Sequence, residues 1–413
     1  MKATVRLILV WLTATVLVSC GPRWKESGTG DVHTITNEGG KTLGYSTASG
    51  VKILTVDRYA FKDLNQNGQL DVYEDWRQPA EARAKDLASK MTPEQIAGLM
   101  LYSRHQSIPS MPRGFMAATY GGKPFDESGA KAADLSDQQK EFLTKDHLRH
   151  VLITRVESAE VAAMWNNNAQ ALVEGIVPGV PINTSSDPRH GTVANAEFNA
   201  GAGGSISMWP GSLGLAATFD PAVTEQFGQL AAQEYRALGI ATALSPRVDL
   251  ATEPRWNRFN GTFGEHPVLA TDMARAYIDG FQTSVGNAEI ADGWGYESVN
   301  AMVKHWPGGG SGEGGRDAHF GFGKYAVYPG KQFATHFAPF INGAFKLNGK
   351  TGAASALMPY YTISWNQDTV NHENVGNSYN KFIITDLLRN KYGYDGVACT
   401  DWLVTGDETS LDV

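Results

Sequence analysis

The stretch D-G-V-A-C-T-D-W, residues 395–402, decides how this chain reads. Its middle is small, apolar and of strand length, the composition of a strand covered on both faces as in a parallel sheet. It then stops on a carboxylate, Asp401, and an indole, Trp402. A buried strand ending in an ionisable group fixes that group in space, and the pattern recurs upstream. Segments near 98–102, 150–154, 180–185, 241–246, 300–305 and 353–358 also read as strands, with 396–400 the seventh. The intervals leave room for crossover helices, among them Pro221 to Gly239 and Ser378 to Gly393. Strand alternating with helix implies a parallel sheet.

Polar groups fall on the C-terminal side of segment after segment: Asp187 and His190 after the third, Arg247 and Asp249 after the fourth, Lys304 and His305 at the fifth, Tyr360 after the sixth, Asp401 after the seventh. A (β/α)8 barrel gathers such strand ends around one mouth, where the active sites of that fold lie. The expected fold is therefore α/β, a (β/α)8 TIM-like barrel over residues 79–413, with Asp401 delivered to the mouth. Few residues follow the seventh strand. The barrel is expected to be truncated before its eighth strand and helix, as a fragment or a shortened product.

Composition narrows the partners. The 413 residues are 42% apolar and 10% aromatic, enough for a large core. The 43 acidic against 35 basic residues give a net charge of −8, without the basic runs a nucleic-acid partner needs. A neutral ligand fits better.

Lys2 and Arg6 precede an apolar run from Leu7 to Val18, the layout of an export signal and too short for a comfortable membrane span. It ends in L-V-S-C, residues 17–20, which resembles the lipobox of bacterial lipoproteins. Residues 1–20 are thus expected as a signal peptide, with Cys20 the lipidated residue and the membrane met only through that anchor. An ordinary signal with a chance cysteine is the plainer alternative. Either way the protein is exported, to the bacterial periplasm or outer membrane. Cys399 would remain unpaired, so no disulfide is expected. Residues 21–50, rich in Gly, Ser and Thr, read as a flexible tether.

Residues 51–78 hold a sharper feature. D-L-N-Q-N-G-Q-L-D-V-Y-E, residues 63–74, matches the calcium-loop pattern D-x-[DN]-x-[DN]-G-x5-E at each specified position. Asp63, Asn65, Asn67, the Gln69 carbonyl, Asp71 and bidentate Glu74 would supply the oxygens, with Gly68 making the sharp turn. A structural Ca2+ is expected, and no cofactor for catalysis. An Asx-rich turn is the alternative.

Four motifs in order carry a family resemblance: D-P-R-H-G at 187–191, P-R-W-N-R-F-N-G-T-F-G-E-H-P at 254–267, K-H-W-P-G-G-G at 304–310 and G-V-A-C-T-D-W at 396–402. Together they resemble the N-terminal barrel of the family 3 glycoside hydrolases, the β-glucosidases and their relatives, from about residue 80 onward. The resemblance implies a retaining β-glycosidase acting on terminal β-D-glucosyl residues of a β-glucoside or oligosaccharide. Asp401 would be the nucleophile that forms a glycosyl-enzyme intermediate, chemistry a carboxylate close to an anomeric carbon can perform. Asp187, Arg258, Lys304 and His305 would hydrogen-bond the sugar hydroxyls, Tyr360 would stand near the nucleophile, and Trp402 would pack on the ring.

Plainer roles stand beside these. Asp401 could cap a helix, Lys304 and His305 could be a strand end or a satisfied core pair, Arg255 and Arg258 could pair with Glu253 or Glu265 at the surface, and Asp187 could serve a turn.

The sequence departs from the family at two places. The usual loop reads K-H-F-P-G-H-G, and here Gly309 stands in the histidine's place, followed by S-G-E-G-G-R. The general acid is the second. A retaining glycosidase needs a proton donor about 5 Å from its nucleophile, and in two-domain relatives a Glu beyond the barrel supplies it. Within this chain Asp317 and His319 offer another, resembling the Asp-His pair of single-domain β-N-acetylglucosaminidases, with Glu313 on the same loop a weaker candidate. Those enzymes carry D-Q-E-G-G-R where this chain has D-P-R-H-G, so β-glucosidase comes first. A β-N-acetylglucosaminidase, a β-xylosidase, or a lipid-anchored sugar-binding protein without turnover are the alternatives.

Overall fold

A computed structural model of the protein describes residues 21–191 and 206–404. The apolar run from Leu7 to Val18 and Cys20 lie outside the described residues, so the export and lipid-anchor expectations do too. No helix among the described residues is long and apolar enough to cross a membrane. The chain divides into two units, Met1–Lys90 and Met91–Val413.

In the first unit, β1 (Trp24–Thr29), β2 (Val32–Asn37) and β3 (Thr42–Ser46) form an antiparallel sheet. This corrects the tether expected over 21–50. The residue types are small and polar, but V-H-T-I-T-N alternates, and Ile35 and Asn37 go inward. The Asn37 side chain accepts the Ala60 amide at 2.7 Å, which ties the sheet to the next hairpin. That hairpin joins β4 (Lys52–Val56) to β5 (Tyr59–Asp63) through Asp57 and Arg58, both at positive φ as a two-residue hairpin turn demands. The unit closes with helix Ala80–Lys90.

In the second unit Tyr102 alone of the strand expected at 98–102 pairs, as a parallel bridge to His150, because the stretch opens on the end of a helix, Pro93–Leu99. Its start is written in the sequence: Thr92 Oγ1 accepts the Gln95 amide, Gln95 Oε1 accepts the Thr92 amide, and Pro93 takes the first helical position. The first strand is instead β6 (Gln106–Ile108), followed by β7 (His150–Val156), β8 (Asn183–Ser186) and β9 (Thr242–Ala243). A small ribbon, β10 (Glu289–Ala291) with β11 (Trp294–Gly295), leads into β12 (Asn300–Trp306). Then come β13 (Tyr325–Ala326), β14 (Ala356–Pro359), β15 (Ile363–Ser364) and β16 (Val397–Ala398).

Seven of these make one sheet in the order β16-β14-β12-β9-β8-β7-β6, every pair parallel. Among the described residues its two ends do not pair, so the fold is mixed α/β around a large parallel sheet. β9 is short because Pro246 lacks an N–H for the ladder.

Helices Ala159–Glu174, Pro221–Ala237 and Pro267–Gln282 carry the crossovers; the apolar sides of the latter two build the main core with Val303, Trp306 and Leu357 from the sheet, while Val161, Trp165, Ala169 and Val173 of the first pack in a second cluster with Val151 and Ile153. The sheet residues Leu152, Leu244, Met302, Ala356 and Met358 form a separate cluster. Trp306 is fully buried against Phe337 and Phe340, each with ring centroids 5.4 Å away, and donates to the Ile383 carbonyl at 3.1 Å. Trp306→Ala is expected to cost about 3–5 kcal/mol, read as a lower denaturant midpoint; an unchanged midpoint would contradict this packing.

Candidate active site

The strand ends come together as the sequence leads one to expect. After β8, Arg189 is buried and clamps two strands: Nη2 donates to the Ile153 and Thr154 carbonyls, both at 2.9 Å, and Nε to Ser186 Oγ at 2.7 Å. That clamp fixes Asp187, whose Oδ1 meets Lys304 Nζ at 2.9 Å. His190 holds Glu234 at 2.6 Å, and Glu234 also accepts the Ser207 amide and hydroxyl. The Trp209 amide donates to the His190 carbonyl at 2.6 Å. Residues 190 and 209 are thus clasped side by side.

On β12, Lys304 and His305 both serve the site although neighbours on a strand face opposite ways. The pairing with β14 explains it, because the register shifts between Lys304 and Trp306 and leaves His305 as the extra residue. His305 Nδ1 meets Asp249 Oδ2 at 2.7 Å, and its Nε2 faces Asp401 Oδ2 at 4.0 Å. The ring of Tyr360 lies 4.4 Å from that of His305.

Asp401 arrives from the end of β16. Its Oδ1 accepts the Trp402 amide at 2.9 Å, and its buried Oδ2 accepts no hydrogen bond from the described residues. Burial pushes this carboxyl up from its ordinary value, opposed by the charges of His319 and Arg258, the Trp402 amide and Lys304. Trp402 itself is half-buried, 5.1 Å from the ring of Tyr102 and 6.3 Å from that of His105.

Arg258 is buried and donates to the Tyr360 hydroxyl at 3.3 Å, whereas Arg255 makes the surface pair with Glu253 at 2.7 Å. Asp317 accepts from Trp256 Nε1 at 2.7 Å and from the His319 amide at 3.0 Å, and meets His319 Nδ1 at 2.6 Å. Burial pushes Asp317 up, but the side chain and amide of His319 and the Arg258 charge outweigh it and hold the carboxyl well below the usual range. Of the pair, Asp317 is therefore the member held as an anion. Tyr361, beside Tyr360, donates to the Trp402 carbonyl at 2.7 Å. Cys399 is free, its thiol pushed up to about 12 by burial first, then by the charge of Asp401, which rules it out as a nucleophile.

Asp187, Arg258, Lys304, His305, Tyr360, Asp317, His319, Asp401 and Trp402 thus form one network. Sequence reasoning places Asp249 at a strand end without a role, and passes over Arg189, Trp256 and Tyr361, whose partners lie far away along the chain.

In the other unit, the loop after β5 turns as a calcium loop does. Asp63 accepts the Asn67 and Gly68 amides, each at 3.0 Å, and Gly68 takes φ 76°. Glu74 accepts the amides of Leu64 at 2.7 Å and Asp71 at 3.0 Å. Asn65 and Asn67 donate to Asp71, which also meets Lys90 Nζ at 3.0 Å. Among the described residues no group of three or more His, Cys, Asp or Glu is placed to hold a metal ion. Any ion here would lean on the two amide side chains and the Gln69 carbonyl.

A periplasmic beta-glucosidase/beta-xylosidase of Dickeya chrysanthemi is 40% identical over 364 residues, 87% of this chain and 51% of that protein. Beta-glucosidase C of Emericella nidulans is 36% identical over 343 residues, 82% of this chain and 49% of the relative. The chain thus spans about half the length of the curated relatives it matches. Among solved structures, a glycoside hydrolase family 3 beta-N-acetylglucosaminidase from Paenibacillus sp. str. FPU-7 aligns with a TM-score of 0.57 at 21% identity, covering 78% of this chain and 50% of that one. A beta-glucosidase from Listeria innocua aligns with a TM-score of 0.54 at 20% identity, covering 79% and 37%. At such identities the two structures speak for the fold alone. The family description Glycosyl hydrolase family 3 N terminal domain matches residues 120–410, and the chain belongs to glycosyl hydrolase family 3.

Proposed function

We propose that this chain carries the sugar-binding and nucleophilic half of an exported retaining β-glucosidase. The observation that carries the reading is Asp401: a buried carboxylate held by one oxygen, with the other unbonded and facing a ring of cations and donors. In this reading Oδ2 attacks the anomeric carbon, the glycosidic oxygen leaves with a proton, and water later releases the sugar from Asp401. Asp187, Lys304, His305 and Arg258 bind sugar hydroxyls, and Trp402 lies against a ring face. The test is an aryl β-glucoside whose leaving group needs no protonation. A covalent adduct on the peptide containing Asp401 is expected; saturable binding without adduct would favour the sugar-binding protein.

The Asp317–His319 pair supports a second reading, in which His319 is the proton donor and the chain acts as a β-N-acetylglucosaminidase. His319→Ala is then expected to slow substrates with poor leaving groups by about 10²-fold or more while sparing dinitrophenyl glycosides. Equal rates on both would place the donor elsewhere, and a panel of glucosides, xylosides and N-acetylglucosaminides separates the sugars.

Three further readings belong here. The seven strands are an arc of a (β/α)8 barrel: their order follows the chain without the reversal of a doubly wound sheet, and one face packs on itself. Export to the periplasm follows from the N-terminal sequence and from the periplasmic naming of the Dickeya chrysanthemi relative. A Ca2+ ion in the loop 63–74 would be held by Asp63, Asn65, Asn67, Gln69, Asp71 and Glu74 and would stabilise the first unit. Adding a chelator should lower the melting temperature and calcium restore it, an effect Asp63→Ala removes; identical melting with and without calcium would end this reading.

A further inference from the structure

His305 stands between two carboxylates, and the reading above uses only one. Asp249, on the loop after β9, is fully buried, and its two oxygens are divided between tasks. Oδ1 accepts the amides of His305 at 3.0 Å and Gly309 at 2.6 Å; Oδ2 meets His305 Nδ1 at 2.7 Å. Burying a carboxylate is costly unless it is paired and hydrogen-bonded, and this one is both.

Gly309 shows that the arrangement is specific. A Cβ added there would stand 3.0 Å from both oxygens of Asp249 and 3.0 Å from the Tyr360 ring. The glycine that departs from the usual K-H-F-P-G-H-G loop is thus what lets a backbone amide reach this carboxylate.

We propose that Asp249 is the positioning residue of the site: it shares one proton with His305 across the Nδ1···Oδ2 contact and so fixes Nε2 as an N–H donor turned toward Asp401 and the bound sugar. The proton can rest on either side of that contact, and Nε2 keeps its hydrogen in both states. Only when the pair loses the shared proton does the imidazole keep its hydrogen on Nδ1 and turn a lone pair toward Asp401. A buried aspartate that sets a histidine tautomer is a known way to make one nitrogen serve a reaction.

Burial pushes Asp249 up, opposed by the two amides and by the charges of Arg247 and Arg258. Burial holds His336 near 4, hence neutral, and pushes Tyr328 and Tyr360 up, hence protonated. Toward the sugar the pair faces Asp401, Lys304, Arg258, Asp317 and His319.

The Asn variant is informative because the two amides require its oxygen at the Oδ1 place. Its NH2 then faces Nδ1 and donates to it, which leaves a neutral His305 with Nε2–H. Asp249→Ala removes the partner altogether. With a dinitrophenyl β-glucoside, whose leaving group needs no acid, release of dinitrophenolate should fall about 10²-fold in Asp249→Ala and be largely rescued in Asp249→Asn. Wild-type release should decline at alkaline pH as the pair loses its proton, and Asp249→Asn should lack that decline. Nitrogen NMR on histidine-labelled wild-type protein should find Nε2 of His305 protonated at neutral pH.

The activity arm rests on Asp401 as nucleophile, and the NMR arm does not. No adduct on wild-type Asp401 overturns the proposed function alone. A bare Nε2 in the wild type, or Asp249→Ala reacting at the wild-type rate with an unchanged pH profile, overturns this inference even where the adduct forms.

Discussion

Asp401→Asn is expected to lower turnover of an aryl β-glucoside by about 10⁴-fold or more, the scale seen when a covalent nucleophile is lost, while the protein stays folded. The amide keeps the shape of the carboxylate, so Oδ1 can still accept the Trp402 amide. What disappears is the unbonded anionic oxygen. The pH dependence follows from the same burial. The wild-type carboxyl is pushed above its ordinary value, so the acid limb of kcat/KM should lie above the usual aspartate range, because only the ionised form attacks. The sign for stability is opposite. A carboxyl with raised proton affinity in the folded state favours folding while protonated and loses that contribution as pH rises through its folded-state value. At neutral pH Asp401→Asn should therefore melt no lower than wild type. Retained turnover in the variant would sink the assignment.

Asp187→Ala should be the second severe change, and for two separable reasons. Lys304 and Asp187 meet at 2.9 Å with side chains 7% and 17% exposed, so deleting the anion strands a nearly buried ammonium. Removing one partner of a buried pair costs about 3–5 kcal/mol, less here for the residual exposure, and this part shows in the unfolding midpoint. The other part is lost recognition of sugar hydroxyls, expected to reduce kcat/KM by about 10²-fold or more, through charge-assisted hydrogen bonds that are no longer made. Asp187→Asn separates the two: it retains a polar partner for Lys304 and should recover more of the stability than of the activity. Equal recovery of both would mean that the pair matters only to the fold.

Much of this was legible because period and strand-end chemistry agree. Apolar runs at 150–154, 300–305, 353–358 and 396–400 correspond to β7, β12, β14 and β16, and the last three deliver the polar groups written at their ends. Where local signals conflicted, the reading failed. Apolar residues at 98–102 suggested a strand, yet the Thr92 capping box had already begun a helix. The small, polar residues of 21–50 suggested a tether, yet a period of two with only a few inward residues sufficed for a sheet. Asp249 could not be given its role from the chain, since both His305 and Gly309 lie more than fifty residues away and meet it only once the sheet is built. The register shift at His305 is equally silent in sequence, because a bulge depends on what the neighbouring strand does.

The clasp between His190, Glu234, Ser207 and Trp209 has a consequence for how relatives can diverge. Both ends of the intervening stretch are moored to the same carboxylate on helix Pro221–Ala237, while Arg189 moors Asp187 independently to its own strands. Insertions or deletions between the moorings need not disturb Asp187. Such a point is where natural selection, or a protein engineer, can change the length of the chain and leave the neighbouring strand ends in place.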